Sequence, residues 1–207
     1  MTADKPAIRL VIFDMDGVLE RYDLGARLDR LAAVTGKSAD AIHAAIWKSG
    51  FEDAADAGKF SAEEYLKGFG ERVGAPVSRA TWIAARRAAM HPDRDVLELA
   101  KRLKQHTAIA VLTNNGFLVK DTFCELFPEL PPLFGERLHV AAEFGAKKPD
   151  PEVYRRLVAR HGIAPQTAMM IDDKPENVEG AETAGLAGHR FAGIEGLERE
   201  FLARGLL

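Results

Sequence analysis

The sequence predicts an α/β fold, a doubly wound and mostly parallel sheet into which a helical domain is inserted. After about residue 93, short apolar runs alternate with helical patterns, which is typical of a parallel sheet with helices on both faces. Between residues 22 and 90 the pattern is helical, with no convincing strand. With 207 residues, of which 47% are hydrophobic, the chain is long enough to bury such a core.

The first predicted strand is the apolar run over residues 10–13. It ends abruptly in Asp14, Met15, Asp16 and Gly17, as a buried parallel strand does where it meets a turn. In open α/β sheets the functional crevice lies at the carboxyl ends of the strands. Two carboxylates at that point are therefore candidates for catalysis.

The helical insert follows directly. Its helices are marked by apolar spacing or by capping residues at Leu24 and Leu28, Ile42 and Ile46, Ser61 and Glu64, and Ser78. We predict an α/β catalytic core formed by residues 1–18 and 93–207, and a helical cap formed by residues 19–92. Because the insert leaves the core just after Asp14 and Asp16, it should lie over the end of that strand.

The second half of the chain supplies the other strands of the core. We predict strands over residues 108–112, 138–141, 169–171 and 188–191. Helices are expected after Asp93, through 119–123, from 151, over 175–184 and over 197–202, with a loop over 128–132.

Composition limits the compartment and the partners. The net charge of −3 gives no basic footprint for nucleic acid or for an anionic membrane surface. The single cysteine excludes an intrachain disulfide framework and fits a reducing cytosol. We see no signal-peptide pattern and no apolar run long enough to span a membrane. We therefore expect a cytoplasmic protein, either a monomer or a homodimer.

The polar residues near the strand ends have a consistent chemistry. They are Asp14, Asp16, Thr113, Asn114, Asp172 and Asp173, with Lys147 and Lys148 in a loop between them. Carboxylates brought together repel one another unless a cation is present, and Mg²⁺ prefers hard oxygen ligands. A lysine and a threonine beside backbone N–H groups can hold an anion. Such a site can hold a phosphoryl group against a carboxylate, which can attack phosphorus to give an aspartyl-phosphate.

Four segments of the sequence resemble the motifs of the haloacid dehalogenase superfamily, a group dominated by phosphatases. They are FDMDGVL at 13–19, LTNN at 112–115, KKPDPEVY at 147–154 and MIDDKPENVEGA at 170–181. They occur in the family's order and cover essentially the whole chain. The insert resembles the family's first class of cap, and most closely the small-cap branch that contains sugar-phosphate phosphatases and the phosphatase domain of soluble epoxide hydrolase.

The resemblance implies a role for each matching residue at the first two strand ends. Asp14 would be the nucleophile. Asp16 would protonate the leaving alcohol, would then activate the hydrolytic water, and would lend its backbone carbonyl to Mg²⁺. Thr113 and the backbone of Asn114 would bind the phosphoryl oxygens.

The same resemblance assigns the lysine and the remaining acids. Lys148 matches the family lysine better than Lys147 does. Asp173 would be the acidic ligand of Mg²⁺, whereas Asp172 would either support the metal site from behind or pair with Lys148. The implied metal-binding residues are Asp14, Asp16, Asp173 and Asp172.

The expected activity is hydrolysis of phosphoric monoesters, with a small, sugar-phosphate-like phosphorylated metabolite as the substrate. Asp16 favours this reaction over dehalogenation, because an alkoxide leaving group needs a proton and a halide does not. The alternatives are a sugar phosphomutase, or a non-catalytic binding or regulatory protein of the same fold. Several insert residues could touch substrate, although packing or solvation explains them more simply: Trp47, Phe51, Trp82, Arg86 and Arg87.

Overall fold

The structure, a computed structural model, describes residues 7–207, so the first six residues of the predicted core lie outside the described residues. Along the chain the strands are β1 (Leu10–Phe13), β2 (Glu20–Tyr22), β3 (Met90–Pro92), β4 (Ala108–Thr113), β5 (Leu138–Val140), β6 (Ala168–Asp172) and β7 (Ala187–Arg190). Five of them form a parallel sheet in the order β5-β4-β1-β6-β7. The strand that carries Asp14 is thus at the centre of the sheet.

Twelve α-helices lie within the described residues. They are α1 (Leu24–Thr35), α2 (Ala39–His43, continued by a π-helical turn over Ala44–Lys48), α3 (Phe51–Asp56), α4 (Ala62–Val73), α5 (Arg79–Ala89), α6 (Arg94–Leu103), α7 (Phe117–Lys120), α8 (Phe123–Leu126), α9 (Leu130–Phe134), α10 (Pro151–Arg160), α11 (Pro175–Thr183) and α12 (Ile194–Ala203). In the part of the chain that the structure describes, no helix combines the length and the apolar character that a membrane crossing requires.

The sheet is covered on both faces, which confirms the predicted doubly wound fold. Successive side chains of β1 point to opposite sides: Val11 and Phe13 belong to one hydrophobic cluster, Leu10 and Ile12 to the other. The first cluster continues into the helical insert, where it includes Phe69 of α4. The insert therefore packs on the core through a continuous apolar contact.

The insert begins and ends at a two-stranded antiparallel sheet, β2 with β3, that the sequence analysis did not predict. Each of these strands has three residues, which is too short for an alternating pattern to emerge. Ser61 and Glu64 form the predicted capping box at the start of α4. Helix α3, which starts directly after the left-handed Gly50, was not predicted from the sequence.

The prediction of a loop over 128–132 holds for 128–129, which form a turn, and was wrong over 130–132, because α9 begins at Leu130. Pro131 and Pro132 fall in the first turn of this helix, where a missing backbone N–H removes no helical hydrogen bond. The predicted helix through 119–123 is divided into α7 and α8. The other predicted strands and helices are present.

Candidate active site

The site lies at the carboxyl edge of the parallel sheet. Asp14 directly follows β1, and its backbone N–H donates to the carbonyl of Ile171 on the neighbouring strand at 2.9 Å. Thr113 ends β4 and Asp172 ends β6, on the two sides of β1. Neighbouring parallel strands therefore bring three of the predicted site residues to one edge.

Lys148 is buried between two carboxylates. Its Nζ lies 2.7 Å from Oδ1 of Asp14 and 2.6 Å from Oδ2 of Asp172. Burial alone would lower the pKa of Lys148, but the charges of Asp14 and then Asp172 outweigh it and raise that pKa above its usual value. The lysine is therefore held as an ammonium ion, which partly compensates the two negative charges.

Both oxygens of Asp172 have partners. Oδ2 meets Lys148, while Oδ1 accepts hydrogen bonds from the Asn177 side chain at 2.9 Å and from the Lys174 N–H at 3.0 Å. The carbonyl of Asn177 in turn accepts from the Tyr154 hydroxyl at 2.6 Å. Of the two roles that the sequence left open for Asp172, this geometry favours the pair with Lys148.

Asp14 is buried, and its two carboxylate oxygens differ in their hydrogen bonding. Oδ1 accepts from the Met15 N–H at 2.7 Å in addition to Lys148. Burial raises the pKa of Asp14 to about 7; Lys148 opposes the shift and Asp172 adds to it. A further positive charge near this carboxylate would favour its ionised form.

Asp173 supplies an oxygen without a partner. Its Oδ1 is buried and has no hydrogen bond, and burial, followed by the charge of Asp172, raises the pKa of Asp173. Gly17, with a φ of 98°, allows this carboxylate to approach, since a Cβ at that position would lie 2.7 Å from it. Oxygens of Asp14, Asp172 and Asp173 lie within 4.8 Å of one another. This set of hard, negatively charged donors fits a divalent cation such as Mg²⁺.

Thr113, the last residue of β4, and Asn114, the residue after it, make different contacts. The Thr113 hydroxyl accepts from the Asn115 side chain at 2.7 Å, so its own proton can be donated to an anion. Asn114 holds the backbone of Lys148: its side chain accepts from the Lys148 N–H at 2.9 Å and donates to the Lys148 carbonyl at 2.8 Å. This contact of the Asn114 side chain was not predicted from the sequence, where only its backbone was assigned a role.

Asp16 lies next to two buried ionisable side chains that the sequence analysis did not assign to the site. Arg86, which it interpreted as a packing or solvated residue, places Nη2 3.2 Å from Oδ2 of Asp16. Glu20 accepts from the His91 N–H at 3.0 Å, and burial, followed by the charge of Asp16, raises the pKa of Glu20 to about 9. No pattern around Arg86 distinguishes it from a residue on a solvated helix face.

Lys147 lies outside this centre, although it is adjacent to Lys148 in sequence. Its ammonium forms an ion pair with Asp53 on α3, and thereby joins the helical insert to the loop over 145–150 that carries Lys148, the lysine loop. The structure thus brings Asp14, Lys148, Asp172 and Asp173 together and leaves Lys147 at the contact between insert and core.

A parallel sheet with helices on both faces and an acidic, lysine-containing centre at its carboxyl edge places the chain in the Rossmann-like α/β class. The family model of the haloacid dehalogenase-like hydrolases matches residues 8–185 of the sequence, and the chain belongs to that family. This finding confirms the resemblance seen in the four sequence motifs.

Two relatives of this chain are named as phosphatases. The protein named phosphatase MT3486 from Mycobacterium tuberculosis is 28% identical over 193 residues, 88% of this chain and 87% of its own. A D-ribitol-5-phosphate phosphatase from Bacteroides thetaiotaomicron is 22% identical over 179 residues, 83% of this chain and 85% of its own. A solved structure of a family enzyme from the latter organism, in complex with magnesium and inorganic phosphate, has a TM-score of 0.72, 20% identity, and coverage of 89% of this chain and 94% of its own. At that identity the structural likeness shows the fold alone.

Proposed function

We propose that this protein is a Mg²⁺-dependent phosphatase that hydrolyses small phosphomonoesters through an aspartyl-phosphate intermediate. The observation that carries the proposal is the buried ammonium of Lys148 between Asp14 and Asp172, beside an Asp173 oxygen that lacks a partner. The family supplies the class of hydrolase, and relatives named phosphatases support the reaction. The relative that acts on D-ribitol 5-phosphate supports a phosphorylated sugar or polyol as the substrate.

The metal would be held by Asp14, Asp173 and the backbone carbonyl of Asp16, next to Asp172, which is paired with Lys148. When bound, Mg²⁺ would supply positive charge that offsets the charge of the phosphoryl group and of the carboxylates. The nucleophile, the acid and the base are side chains of the protein itself.

In the first half-reaction we assign the attack on phosphorus to Asp14. Its Oδ1 is held by Lys148 and by the Met15 N–H, so Oδ2 is the oxygen proposed to attack. The new O–P bond forms as the ester P–O bond breaks, and Asp16 gives its proton to the departing alkoxide. The products are the alcohol and the aspartyl-phosphate.

In the second half-reaction Asp16, now a carboxylate, accepts a proton from water while the water oxygen attacks phosphorus. The acyl–phosphate bond breaks, which regenerates the Asp14 carboxylate and releases inorganic phosphate. Thr113 and Lys148 would hold phosphoryl oxygens throughout, since a hydroxyl proton and an ammonium group are suitable donors.

We further propose that residues 19–92 act as a cap that encloses the leaving group and selects the substrate. The contacts that support a cap are the Lys147–Asp53 ion pair and the continuous apolar cluster from α4 to the sheet. A cap that closes over the site would exclude water other than the attacking molecule.

The test is steady-state hydrolysis of p-nitrophenyl phosphate and of a panel of sugar and polyol phosphates, in Mg²⁺ and in EDTA. Asp14→Asn should lower turnover by at least about a thousand-fold, because an amide cannot act as the nucleophile. The exposed Asp29→Asn serves as the matched control and should behave as the wild type does. Mass spectrometry of acid-quenched wild type should detect phosphate on the peptide that contains Asp14.

Each part of the proposal can fail separately. Substantial turnover by a correctly folded Asp14→Asn variant would exclude Asp14 as the nucleophile. Full activity in EDTA would exclude the metal requirement. Equal kcat/KM for aryl and sugar phosphates would argue against a sugar-phosphate-selective cap.

A further inference from the structure

Arg86 is a buried arginine of the insert whose ion-pair partner is the acid–base candidate. It lies on α5, its side chain is only 2% exposed, and Nη2 is 3.2 Å from Oδ2 and 3.5 Å from Oδ1 of Asp16. The Asp16 side chain is 29% exposed. The contact therefore joins a fixed, buried cation to a partly solvated carboxylate.

The surroundings of Arg86 restrict where its guanidinium can point. Its Cζ lies 5.2 Å from the centre of the Tyr22 ring and 6.0 Å from that of Trp82, so aromatic side chains line it. Its Nε is buried without a hydrogen-bond partner. A buried cation of this kind needs hydrogen-bond acceptors, and the side-chain oxygens of Asp16 accept from it.

We propose that Arg86 is a positioning residue for Asp16, which it orients for proton transfer while α5 is docked on the core. The inference rests on the phosphatase function proposed above. A carboxylate that is partly exposed to water has several accessible rotamers, and a two-point contact with a rigid guanidinium selects one of them. The guanidinium also balances the negative charge that Asp16 carries once its proton has moved to the leaving group.

This arrangement couples the insert to the chemistry of the core. Arg86 lies on a helix of the insert, while Asp16 lies on the loop that follows β1. Only the docked insert gives Asp16 this partner, so substrate enclosure and readiness for proton transfer would occur together.

The experiment compares Arg86→Met and Arg86→Lys with the wild type, and uses the exposed neighbour Arg87→Met as the matched control. The substrates are substituted phenyl phosphates, from p-nitrophenyl phosphate to phenyl phosphate, which differ in how much the departing oxygen needs a proton. Thermal unfolding of each variant reports whether the substitution destabilises the fold.

We expect Arg86→Met to lower kcat/KM about 10- to 100-fold for phenyl phosphate and much less for p-nitrophenyl phosphate, because general acid catalysis contributes about 10²- to 10⁴-fold. Arg86→Lys should recover part of the loss, since a lysine keeps the charge and loses the two-point geometry. Arg87→Met should match the wild type with both esters.

Other outcomes overturn the inference. An equal loss with all esters, together with a lower melting temperature, would make Arg86 a structural residue of the insert. A rise in KM with unchanged kcat would make it a substrate ligand. If the wild type hydrolyses the esters and Arg86→Met does so equally well, the positioning role is wrong while the phosphatase proposal stands. Absence of turnover by the wild type on any phosphomonoester would overturn both.

Discussion

At the scale of single residues, the position of Lys148 depends on a hydrogen-bond pair to its own backbone. Asn114 bonds to both the N–H and the carbonyl of Lys148, at 2.9 and 2.8 Å. Because Asn114 follows β4 directly, these two bonds attach the lysine loop to the edge of the sheet. The ammonium group can then reach Asp14 and Asp172 together.

Replacing Asn114 by alanine should therefore lower kcat by about 10- to 100-fold, since a displacement of about 1 Å at a catalytic group has effects of this size. The measurement is steady-state hydrolysis of p-nitrophenyl phosphate. Asn114→Asp keeps the acceptor for the Lys148 N–H but sets a carboxylate oxygen against the Lys148 carbonyl, so it should be no better than alanine. Wild-type kcat in Asn114→Ala would show that the backbone contact is dispensable.

The sequence identified the residues of the site whose signal is local. Asp14, Asp172 and Thr113 stand where apolar strands give way to polar residues, and that change in pattern predicted all three. Asn177 and Arg86 lie within helices, where a single polar residue cannot be distinguished from one on a solvated face. Their contacts depend on residues far away in sequence, and only the folded chain reveals them. Their roles stay predictions.

At the scale of elements, the carboxylate of Glu143 connects the turn before the lysine loop to three neighbouring elements. Glu143 lies within salt-bridge distance of Lys120 on α7, His139 on β5 and Arg160 on α10. It also accepts from the Val140 N–H at 3.0 Å. Although burial opposes ionisation, these hydrogen bonds and charges, led by the His139 hydrogen bond, lower the pKa of Glu143 from 4.5 to about 2.

This lowered pKa predicts the sign of a pH effect on stability. A carboxyl whose pKa is lower in the folded state stabilises the fold above its unfolded pKa of 4.5, and that contribution is lost as the pH falls towards 2. Glu143→Gln should thus reduce the free energy of unfolding by about 2 kcal/mol at neutral pH, with allowance for solvent screening. The difference from the wild type should shrink below about pH 4.5.

Urea unfolding between neutral pH and about pH 3 measures this difference. Glu136→Gln, an exposed neighbour, is the control and should shift stability by no more than about 0.5 kcal/mol at any pH. A Glu143→Gln deficit that stays constant with pH would show that packing, and not the charge, is responsible.

The elements that were not predicted from the sequence are short, and tertiary contacts stabilise them. The strands β2 and β3 exist because they pair with each other, in the register Glu20 with Pro92. Helix α3 has six residues, and an isolated helix of that length is unstable in water. Phe51 and Ala55 of α3 are buried, so packing stabilises this helix where its intrinsic helix propensity would not.

At the scale of the whole molecule, insert and core meet closely enough that backbone atoms limit the contact. Gly58, just after α3, faces the carbonyl of Ala142, which a Cβ would approach to 2.6 Å. The ion pair of Lys147 with Asp53 also joins insert and core. The sequence predicted an insert above the strand ends from connectivity alone, but it contained no signal for this closeness, since Gly50 before α3 and Gly58 after it look alike in sequence.

Gly58→Ala should therefore separate the insert from the core near α3, and we expect kcat/KM for phosphomonoesters to fall about ten-fold because the enclosed site no longer closes. Gly50→Ala is the matched control: its φ of 77° is nearly that of Gly58, 78°, yet it has nothing within 4 Å. Both variants should lose about 1 kcal/mol of stability from the left-handed backbone, and Gly58→Ala more through the added clash. Steady-state kinetics with limited proteolysis of the insert would measure the effect. If the two variants are equally active, the close contact is not needed for catalysis.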